Sequence, residues 1–265
     1  MGSVSQMSNQ LEITQLYINN NSGKTLIHGV DLYIKSGLVN VLIGESGSGK
    51  TLTAKAMIQH VPDNLTMTHS TLKYNGKQYK DMYELLGTTI GYISQDYSHS
   101  FNEHTKIGKQ LIAIYRAHFA VNKQQAKTKV LEALAWVELN GQKIMEQYRF
   151  TLSGGQLARV QIASVLMLKP QLIIADEPTG ALDAVTGYHL MTLIRHLADV
   201  HKATLLVITH NLTHVLSFSD YIQVIKDGSI VDRLTIDNVK QGQMTQYSET
   251  LFRHRSQLVK DESYD

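Results

Sequence analysis

The sequence predicts an α/β fold that contains a helical insert, and three observations support this prediction. Short apolar runs, typical of strands buried on both faces of a sheet, alternate with longer stretches of helical periodicity. The region 96–168 carries helix-forming residues and no convincing strand. The chain has 265 residues, enough for one large domain or two small ones. Strands and helices that alternate in this way build an α/β sheet.

The start of the chain predicts two strands joined by a turn. Apolar residues recur at or near every second position over 11–18, and again over 30–34. Residues 19–23 between them form a cluster typical of a turn.

The remaining elements are predicted from composition and periodicity. Runs of almost exclusively apolar residues predict buried strands at 38–43, 90–94, 172–175 and 205–209. Longer stretches of helical character predict helices at 51–59, 124–138, 156–168 and 188–200. Residues after 240 are polar and weakly patterned, so we expect a short tail packed on the surface.

Composition excludes several classes of protein. Hydrophobic residues make up 43% and charged residues 18%, which is typical of a folded chain rather than a disordered one. The formal net charge of +2 does not indicate a nucleic-acid or membrane-surface partner. Cysteine is absent, which excludes disulfides, thiolate zinc, iron–sulfur clusters and a cysteine nucleophile. No apolar run approaches the ~18 residues of a spanning helix, and residues 1–10 lack the apolar core of a signal peptide.

The motif GESGSGKT occupies 44–51, directly between a predicted buried strand and a predicted helix. This is the phosphate-binding loop pattern in the context that it requires. Glycines let main-chain N–H groups curl around phosphate oxygens, and the helix adds the positive end of its dipole. Lys50 can reach the β- and γ-phosphates, and the Thr51 hydroxyl can bind Mg²⁺. A glycine-rich turn that only connects strand and helix is the alternative, which the flanking elements disfavour. The predicted nucleotide-binding residues are Gly44, Glu45, Ser46, Gly47, Ser48, Gly49, Lys50 and Thr51.

A second motif, LIIADEP at 172–178, ends an apolar strand in two carboxylates. Strand ends of this kind lie at the carboxyl edge of an α/β sheet, where ligands bind. We expect Asp176 to hold Mg²⁺ and Glu177 to polarise an attacking water as general base. A solvated acidic pair is the alternative, and the phosphate-binding loop makes it less favoured.

A third motif, LSGGQ, opens the predicted helix 156–168 and is a second anion-binding helix start. With this motif in place, the sequence resembles the nucleotide-binding subunit of ATP-binding-cassette (ABC) transporters over about 10–255. The resemblance implies ATP as ligand, Mg²⁺ as cofactor, and ATP hydrolysis. Its nucleotide contacts in the third motif are Leu152, Ser153, Gly154, Gly155 and Gln156.

The same resemblance implies a domain organisation. The core would be a P-loop NTPase (RecA-like) fold with an N-terminal antiparallel β subdomain and an inserted α-helical subdomain. The ABC ATPase domain would span 8–255, with 8–95 and 169–240 as α/β core and 96–168 as the helical subdomain. A short tail would cover 241–265.

Three further residues match functional positions of the family. Gln95 matches the glutamine that senses Mg²⁺ and the attacking water, and His210 matches the histidine that contacts the γ-phosphate. Asp183, in the segment 181–183, matches the loop that signals between two subunits. The resemblance implies a head-to-tail dimer in which Lys50, Thr51, Gln95, Asp176, Glu177 and His210 act in one subunit and LSGGQ completes the site of the other.

One position departs from the family pattern. ABC ATPases usually stack an aromatic residue on adenine near the end of the first strand, where this chain has Asn20. Tyr17 is the nearest aromatic residue, and it lies three positions earlier.

The stretch QDYSHSFNEHTKIGKQL at 95–111 is similar to the pattern of ATPases that drive dipeptide, oligopeptide, nickel and metallophore importers. The chain length and the lack of cysteine favour a nickel or metal–metallophore importer over a peptide importer, which stays open as the alternative. The implied partners are a second ATP-binding subunit, different or identical, two integral-membrane permease subunits and, indirectly, an extracytoplasmic solute-binding protein. The implied location is peripheral, on the cytoplasmic face of the cell membrane.

Other members of the family fit less well. An exporter lacks the pattern at 95–111, and a non-catalytic subunit would not need Lys50, Asp176, Glu177 and His210 together. A soluble ABC ATPase that acts on nucleic acid or ribosomes is the alternative from a different class. The chain lacks the basic stripe of a nucleic-acid partner, so we expect no nucleic acid.

Overall fold

The structure is a computed structural model that describes residues 8–97, 99–212 and 215–261. The chain forms two compact units. The first contains the residues up to 84 and those from 204 onward, and the second contains residues 85–203. The second unit therefore interrupts the first in sequence.

Eleven strands and nine α-helices lie within the described residues. In chain order the strands are β1 (Asn9–Asn20), β2 (Thr25–Lys35), β3 (Val39–Ile43), β4 (Leu65–Thr68), β5 (Thr71–Tyr74), β6 (Lys77–Gln78), β7 (Ile90–Ile93), β8 (Leu172–Asp176), β9 (Thr204–Thr209), β10 (Tyr221–Lys226) and β11 (Ser229–Thr235). The helices are α1 (Lys50–Met57), α2 (Ile107–His118), α3 (Lys123–Trp136), α4 (Gly141–Met145), α5 (Gly154–Leu166), α6 (Ala184–His201), α7 (Val215–Phe218), α8 (Ile236–Lys240) and α9 (Gln246–Asp261).

The first unit begins with an antiparallel sheet in the order β2-β1-β5-β6, and β4 also pairs with β1. The two strands predicted at the start of the chain are confirmed as β1 and β2. The apolar alternation of β1 slips by one position between Ile13 and Leu16, and the structure explains the slip. Gln15 adopts a left-handed φ of 50°, and its backbone N–H donates to the Asp31 carboxylate at 2.7 Å. This bulge returns Leu16 to the buried face.

Four further strands of the first unit lie side by side in a second sheet, in the order β11-β10-β3-β9. Strand β3 runs parallel to both β9 and β10, whereas β11 is antiparallel to β10. All residues of β3 and β9 are buried, which confirms the strands predicted at 38–43 and 205–209. Predicted helix 51–59 is confirmed as α1.

The second unit pairs β7 with β8 in parallel, as the runs at 90–94 and 172–175 predict. Helices α3, α5 and α6 confirm the predicted helices 124–138, 156–168 and 188–200 within a few residues at each end. The described residues of 96–168 contain helices and no strand. None of the described helices of either unit combines the length and the apolar composition that a membrane crossing needs.

Several elements are not predicted from the sequence pattern. Strands β4 to β6 are short and largely exposed or half-buried, so they lack an apolar run. Strands β10 and β11 form a hairpin around Asp227 and Gly228, which both have positive φ, as a tight two-residue turn requires. The expected tail contains helix α9, whose sequence is mostly polar. Thr245 and Ser248 fix its start by donating hydroxyl hydrogen bonds to the Asp232 carboxylate.

One polar residue, Asn40, lies inside the otherwise apolar strand β3 and is fully buried. Its Oδ1 accepts from the Lys35 N–H at 2.7 Å, and its Nδ2 donates to the Lys35 and Leu38 carbonyls at 2.9 and 3.1 Å. A further Nδ2 contact reaches the Leu205 carbonyl of β9 at 3.3 Å. The side chain therefore satisfies backbone groups in the turn from β2 to β3 that would otherwise be buried without partners.

We expect Asn40→Ala to lower the free energy of unfolding by about 2–4 kcal/mol, because it leaves several buried backbone groups unsatisfied. Urea denaturation followed by circular dichroism measures this change. Asn64→Ala, at an exposed position, is the control and should stay within about 0.5 kcal/mol of the parent. Equal midpoints for the two variants would contradict this role of Asn40.

Candidate functional site

The phosphate-binding loop follows β3 directly and leads into α1. Gly47 and Gly49 have φ of 80° and 101°, in the left-handed region that favours glycine. A Cβ on Gly44 would lie 2.2 Å from the Ile225 carbonyl oxygen of β10, so only glycine fits there without a shift of the backbone. These three positions thus fix the curled path of the loop.

Lys50 starts α1 and crosses back over the loop. The side chain is 6% exposed, and its Nζ donates to the carbonyls of Gly44 and Glu45 at 3.0 and 2.9 Å. The helix has Gly49 at its N-cap and no side-chain cap, so no N-cap side chain stands between its first turn and an anion. The hydroxyl of Ser48 is buried and has no hydrogen-bond partner among the described residues. An unsatisfied donor, an uncapped helix start and a lysine fit a bound phosphate chain.

A cavity of about 330 Å³ opens beside this loop. It is lined by the loop residues Gly44, Glu45 and Ser46, by His210, and by Tyr247, Thr250 and Leu251 of α9. The structure therefore brings the predicted residue His210, which follows β9 and is exposed, to the same cavity as the loop.

The sequence pattern does not predict that Tyr247 of α9 lines this cavity. Its ring lies under the Lys226 ammonium, 4.7 Å from the ring centre, a cation–π contact. Burial and the negative charge of Glu45 raise the pKa of the Tyr247 hydroxyl, which therefore stays protonated at neutral pH. The helix that carries Tyr247 thus forms one wall beside the loop.

The acidic pair lies at the end of β8 in the second unit. Asp176 and Glu177 are 1% and 5% exposed. The Tyr92 hydroxyl donates to Oδ2 of Asp176 at 2.8 Å, and burial together with that carboxylate raises the pKa of Tyr92. The sequence pattern does not predict a role for Tyr92, because its hydrogen bond to Asp176 forms only once β7 pairs with β8. Tyr92 fixes one carboxylate oxygen of Asp176 in the interior.

Glu177 lies in a strained turn, and the side chain of Gln95 lies near the same turn. The φ of Glu177 is 45°, in the left-handed region, and its carbonyl accepts from the Gly180 N–H at 3.0 Å. A Cβ built on Gly180 would lie 3.9 Å from Nε2 of Gln95. The structure therefore places the exposed amide of Gln95 beside the turn that follows Glu177.

The LSGGQ motif starts α5 with a reciprocal cap. The Ser153 hydroxyl accepts from the Gln156 N–H at 3.3 Å, and the Gln156 side chain accepts from the Ser153 N–H at 3.0 Å. Ser153 and Gly154 are exposed, whereas Leu152, Gly155 and Gln156 are half-buried. The motif presents its serine and first glycine on the surface.

The segment 181–183 lies next to this motif. Leu182 Cδ2 is 3.9 Å from a Cβ built on Gly154. Asp183 caps α6 by accepting from the Thr186 N–H at 3.0 Å, and this hydrogen bond lowers the pKa of the Asp183 carboxyl. Two elements that sequence analysis predicted separately thus share one surface of the second unit.

The donor types suit a hard cation, although no cluster of three or more His, Cys, Asp or Glu among the described residues is arranged to hold a metal. Mg²⁺ at phosphate sites is usually bound by one or two carboxylates together with phosphate oxygens and waters. The carboxylate of Asp176, the hydroxyl of Thr51 and the amide oxygen of Gln95 are oxygen donors of the required kind. The predicted residues therefore fit Mg²⁺ chemically.

Asn20, at the position where the family has an aromatic residue, has a structural role. Its Oδ1 accepts from the N–H groups of Ser22 and Lys24 at 3.1 and 2.9 Å, so it closes the turn after β1. Tyr17 is 41% exposed, and its hydroxyl would lie 2.7 Å from a Cβ on Gly29.

The strand–loop–helix at 44–51 and the buried acids after β8 define a P-loop nucleotide-binding protein, and the capped LSGGQ helix adds a second anion-binding start. The chain matches the ABC transporter family over residues 27–180. It belongs to this family, as an ATP-binding ATPase subunit, which confirms the resemblance and the ATP ligand.

Relatives and solved structures agree with this placement. The chain is 49% identical over 251 residues to the Nickel import system ATP-binding protein NikD of Staphylococcus aureus strain bovine RF122 / ET3-1, covering 95% of this chain and 98% of the relative. The same protein of strain USA300 gives the same values.

Two solved cassettes show the fold. The structure of cbiO1 from Clostridium perfringens, part of the ABC transporter complex cbiONQ, has a TM-score of 0.76 at 22% identity and covers 88% of this chain and 91% of its own. The dimeric bacterial cassette MJ0796 has a TM-score of 0.73 at 24% identity and covers 85% and 98%. These likenesses confirm the predicted P-loop NTPase fold class.

We expect Tyr92→Phe to raise the Mg²⁺ concentration that gives half-maximal ATP turnover several-fold, because Asp176 loses the donor that orients it. The free energy of unfolding should also fall by about 1–3 kcal/mol, the usual effect of losing a hydrogen bond to a charged group. Mg²⁺ titrations of phosphate release and urea denaturation measure the two effects. Tyr83→Phe, at a residue that is 62% exposed, is the control. If Tyr92→Phe matches that control in both measurements, Tyr92 does not orient Asp176.

Proposed function

We propose that this chain is the ATP-hydrolysing motor subunit of an ABC importer that takes up nickel, as the ion or as a complex with an organic metallophore. The observation that carries the proposal is the 49% identity to a nickel import system ATP-binding protein, which spans nearly the full length of both chains. The pattern at 95–111, typical of the importer branch that includes nickel systems, supports it independently.

The proposed roles in nucleotide binding follow the family's motifs. The N–H groups of residues 44–51 and the Lys50 ammonium bind the β- and γ-phosphates. Thr51, Asp176 and Gln95 hold Mg²⁺, which neutralises phosphate charge when bound. Support comes from the local geometry: Lys50 crosses the loop, and Tyr92 fixes Asp176.

Hydrolysis requires a base and a contact to the γ-phosphate. We assign the base to Glu177, which is buried and lies in a strained turn at the end of β8. Gln95 positions the attacking water, and His210 contacts the γ-phosphate. His210 lining the same cavity as the phosphate-binding loop supports its role.

The LSGGQ motif binds the γ-phosphate of a second ATP-binding subunit in a head-to-tail dimer, and Asp183 transmits the state of one site to the other. Exposure of Ser153 and Gly154 at a capped helix start supports this role, because both are open to an external phosphate. The partner is a different chain, as the importer branch implies.

The remaining partners are two integral-membrane permease subunits and, through them, an extracytoplasmic solute-binding protein. The chain is peripheral, on the cytoplasmic face of the membrane. Within the ABC ATPase domain, 8–255, the helical region 96–168 transmits closure of the dimer to the permease. The import system in the name of the S. aureus relative supports these partners.

We expect Glu177→Gln to lower ATP turnover by at least about 100-fold, because the base that takes the proton from water is lost. ATP binding should persist, since the phosphate-binding loop is unchanged. Phosphate release measures turnover, and nucleotide retained after gel filtration measures binding. Glu84→Gln, on an exposed 3₁₀ turn, is the matched control and should keep parental turnover. Full hydrolysis by Glu177→Gln would disprove the assignment of the base.

Uptake by the assembled transporter tests which solute is transported. The chain is produced together with the proposed second ATPase, permeases and binding protein. Vesicles that contain this complex are supplied with radioactive nickel, nickel plus a chelating metallophore, or a labelled dipeptide. We expect ATP-dependent uptake of nickel in one of the first two arms and none with Glu177→Gln. Uptake of the dipeptide without nickel would overturn the nickel assignment and favour the peptide importer.

A further inference from the structure

Helix α5, which begins with the LSGGQ motif, buries a glutamine two turns further along. Gln161 is 5% exposed and lies among apolar neighbours on the helix. Burial of an amide is costly unless it is hydrogen-bonded. Its Nε2 donates to the hydroxyl of Ser94 at 2.9 Å and to the hydroxyl of Ser100 at 2.7 Å. The helix therefore makes two polar contacts with a segment more than sixty residues earlier in the chain.

Both serines belong to the segment that carries Gln95. Ser94 directly precedes Gln95, and Ser100 follows it by five positions. The Ser94 and Ser100 hydroxyls each donate to the Asp96 carbonyl, at 3.2 and 3.1 Å. The amide of Gln161 thus holds two hydroxyls that converge on the residue after Gln95.

The packing of α5 supports the contact between Gln161 and the two serines. Helix α5 packs on strand β7, which ends at Ile93 immediately before Ser94. The Oε1 atom of Gln161 is buried and has no hydrogen-bond partner among the described residues. Among the described residues, the side-chain hydrogen bonds of Gln161 therefore run only through its amide N–H groups, and both go to the two serines.

We propose that Gln161 is a positioning residue that couples Gln95 to the LSGGQ motif. Gln95 responds to nucleotide in its own subunit, and LSGGQ acts on the nucleotide of the partner. A side chain that ties the Gln95 segment to the LSGGQ helix makes the two elements move together. This inference rests on the proposed ATPase function and is independent of which solute is transported.

The main test replaces Gln161 by Met, which keeps the length of the side chain and removes both donors. In the assembled transporter with its native partners, we expect kcat for ATP to fall roughly tenfold while KM for ATP stays within about twofold. KM is preserved because the side-chain hydrogen bonds of Gln161 go to Ser94 and Ser100, which are not part of the phosphate-binding loop. The number of solute molecules moved per ATP should fall as well, because closure is less tightly coupled to nucleotide.

The control is Ser164→Ala on the same helix, which removes a hydroxyl that bonds only the Gln161 carbonyl of α5 itself. It should keep the parental kcat and transport per ATP. If Gln161→Met behaves like Ser164→Ala while the protein is folded at the assay temperature, the proposal is wrong. A Gln161 that acted only through stability would lower the unfolding temperature and leave kcat unchanged well below it.

A second set of variants tests the same contact without changing helix α5, in case Gln161→Met disturbs the folding of the helix. Ser94→Ala and Ser100→Ala, alone and together, remove the acceptors from the other side and leave the core of α5 intact. The double serine variant should reproduce the loss of kcat, and Gln161→Met added to it should cause little further loss. Fully additive effects would overturn the proposal. An absence of ATP turnover in the parental complex would instead contradict the proposed function.

Discussion

Burial of parallel strands on both faces is the constraint on which the rest of the structure depends. Strands β3, β8 and β9 are buried along their whole length, so none of them has room for an exposed polar group before its end. The candidate site residues therefore lie at the ends of the strands or directly after them, and Asp176 is the last residue of β8. The phosphate-binding loop follows β3, Glu177 follows β8, and His210 follows β9. Gln95 stands two positions after β7 for the same reason.

Several polar side chains in the interior hold backbone groups or residues of the candidate site in place. Asn40 satisfies the turn between β2 and β3, and Gln223 of β10 exchanges two hydrogen bonds with the backbone of β2, as a neighbouring strand would. Tyr92 fixes Asp176 in the same way, and Gln161 fixes the segment around Gln95. Each of these four side chains donates or accepts at least one hydrogen bond, because a buried polar group with none would be costly.

The burial of the strands explains which elements could be predicted from the sequence. The strands 38–43, 172–175 and 205–209 are continuous apolar runs, and the three motifs are contiguous, so pattern and spacing suffice for both. Strands β4 to β6 are not predicted because they are mostly exposed or half-buried and have no apolar run, and helix α9 is not predicted because its sequence is mostly polar. Residues that hydrogen-bond to a site residue are not predicted for another reason. Tyr92 and Asp176 are 84 positions apart in sequence, and only pairing of β7 with β8 makes them neighbours.

The two anion-binding helix starts differ in their capping, and the difference matches the roles proposed for them. Helix α1 has no side-chain cap, so the phosphates of its own nucleotide can complete it. Helix α5 carries a full capping box, in which Ser153 and Gln156 satisfy each other's N–H groups. The N–H groups of Gly154 and Gly155, at the first two positions of the helix, are not used by that box. In the proposed head-to-tail dimer, the start of α5 has to stay formed until a phosphate arrives from the other subunit, whereas α1 faces the phosphates of its own nucleotide. The difference in capping therefore supports the proposal that the two helix starts bind nucleotides of different subunits.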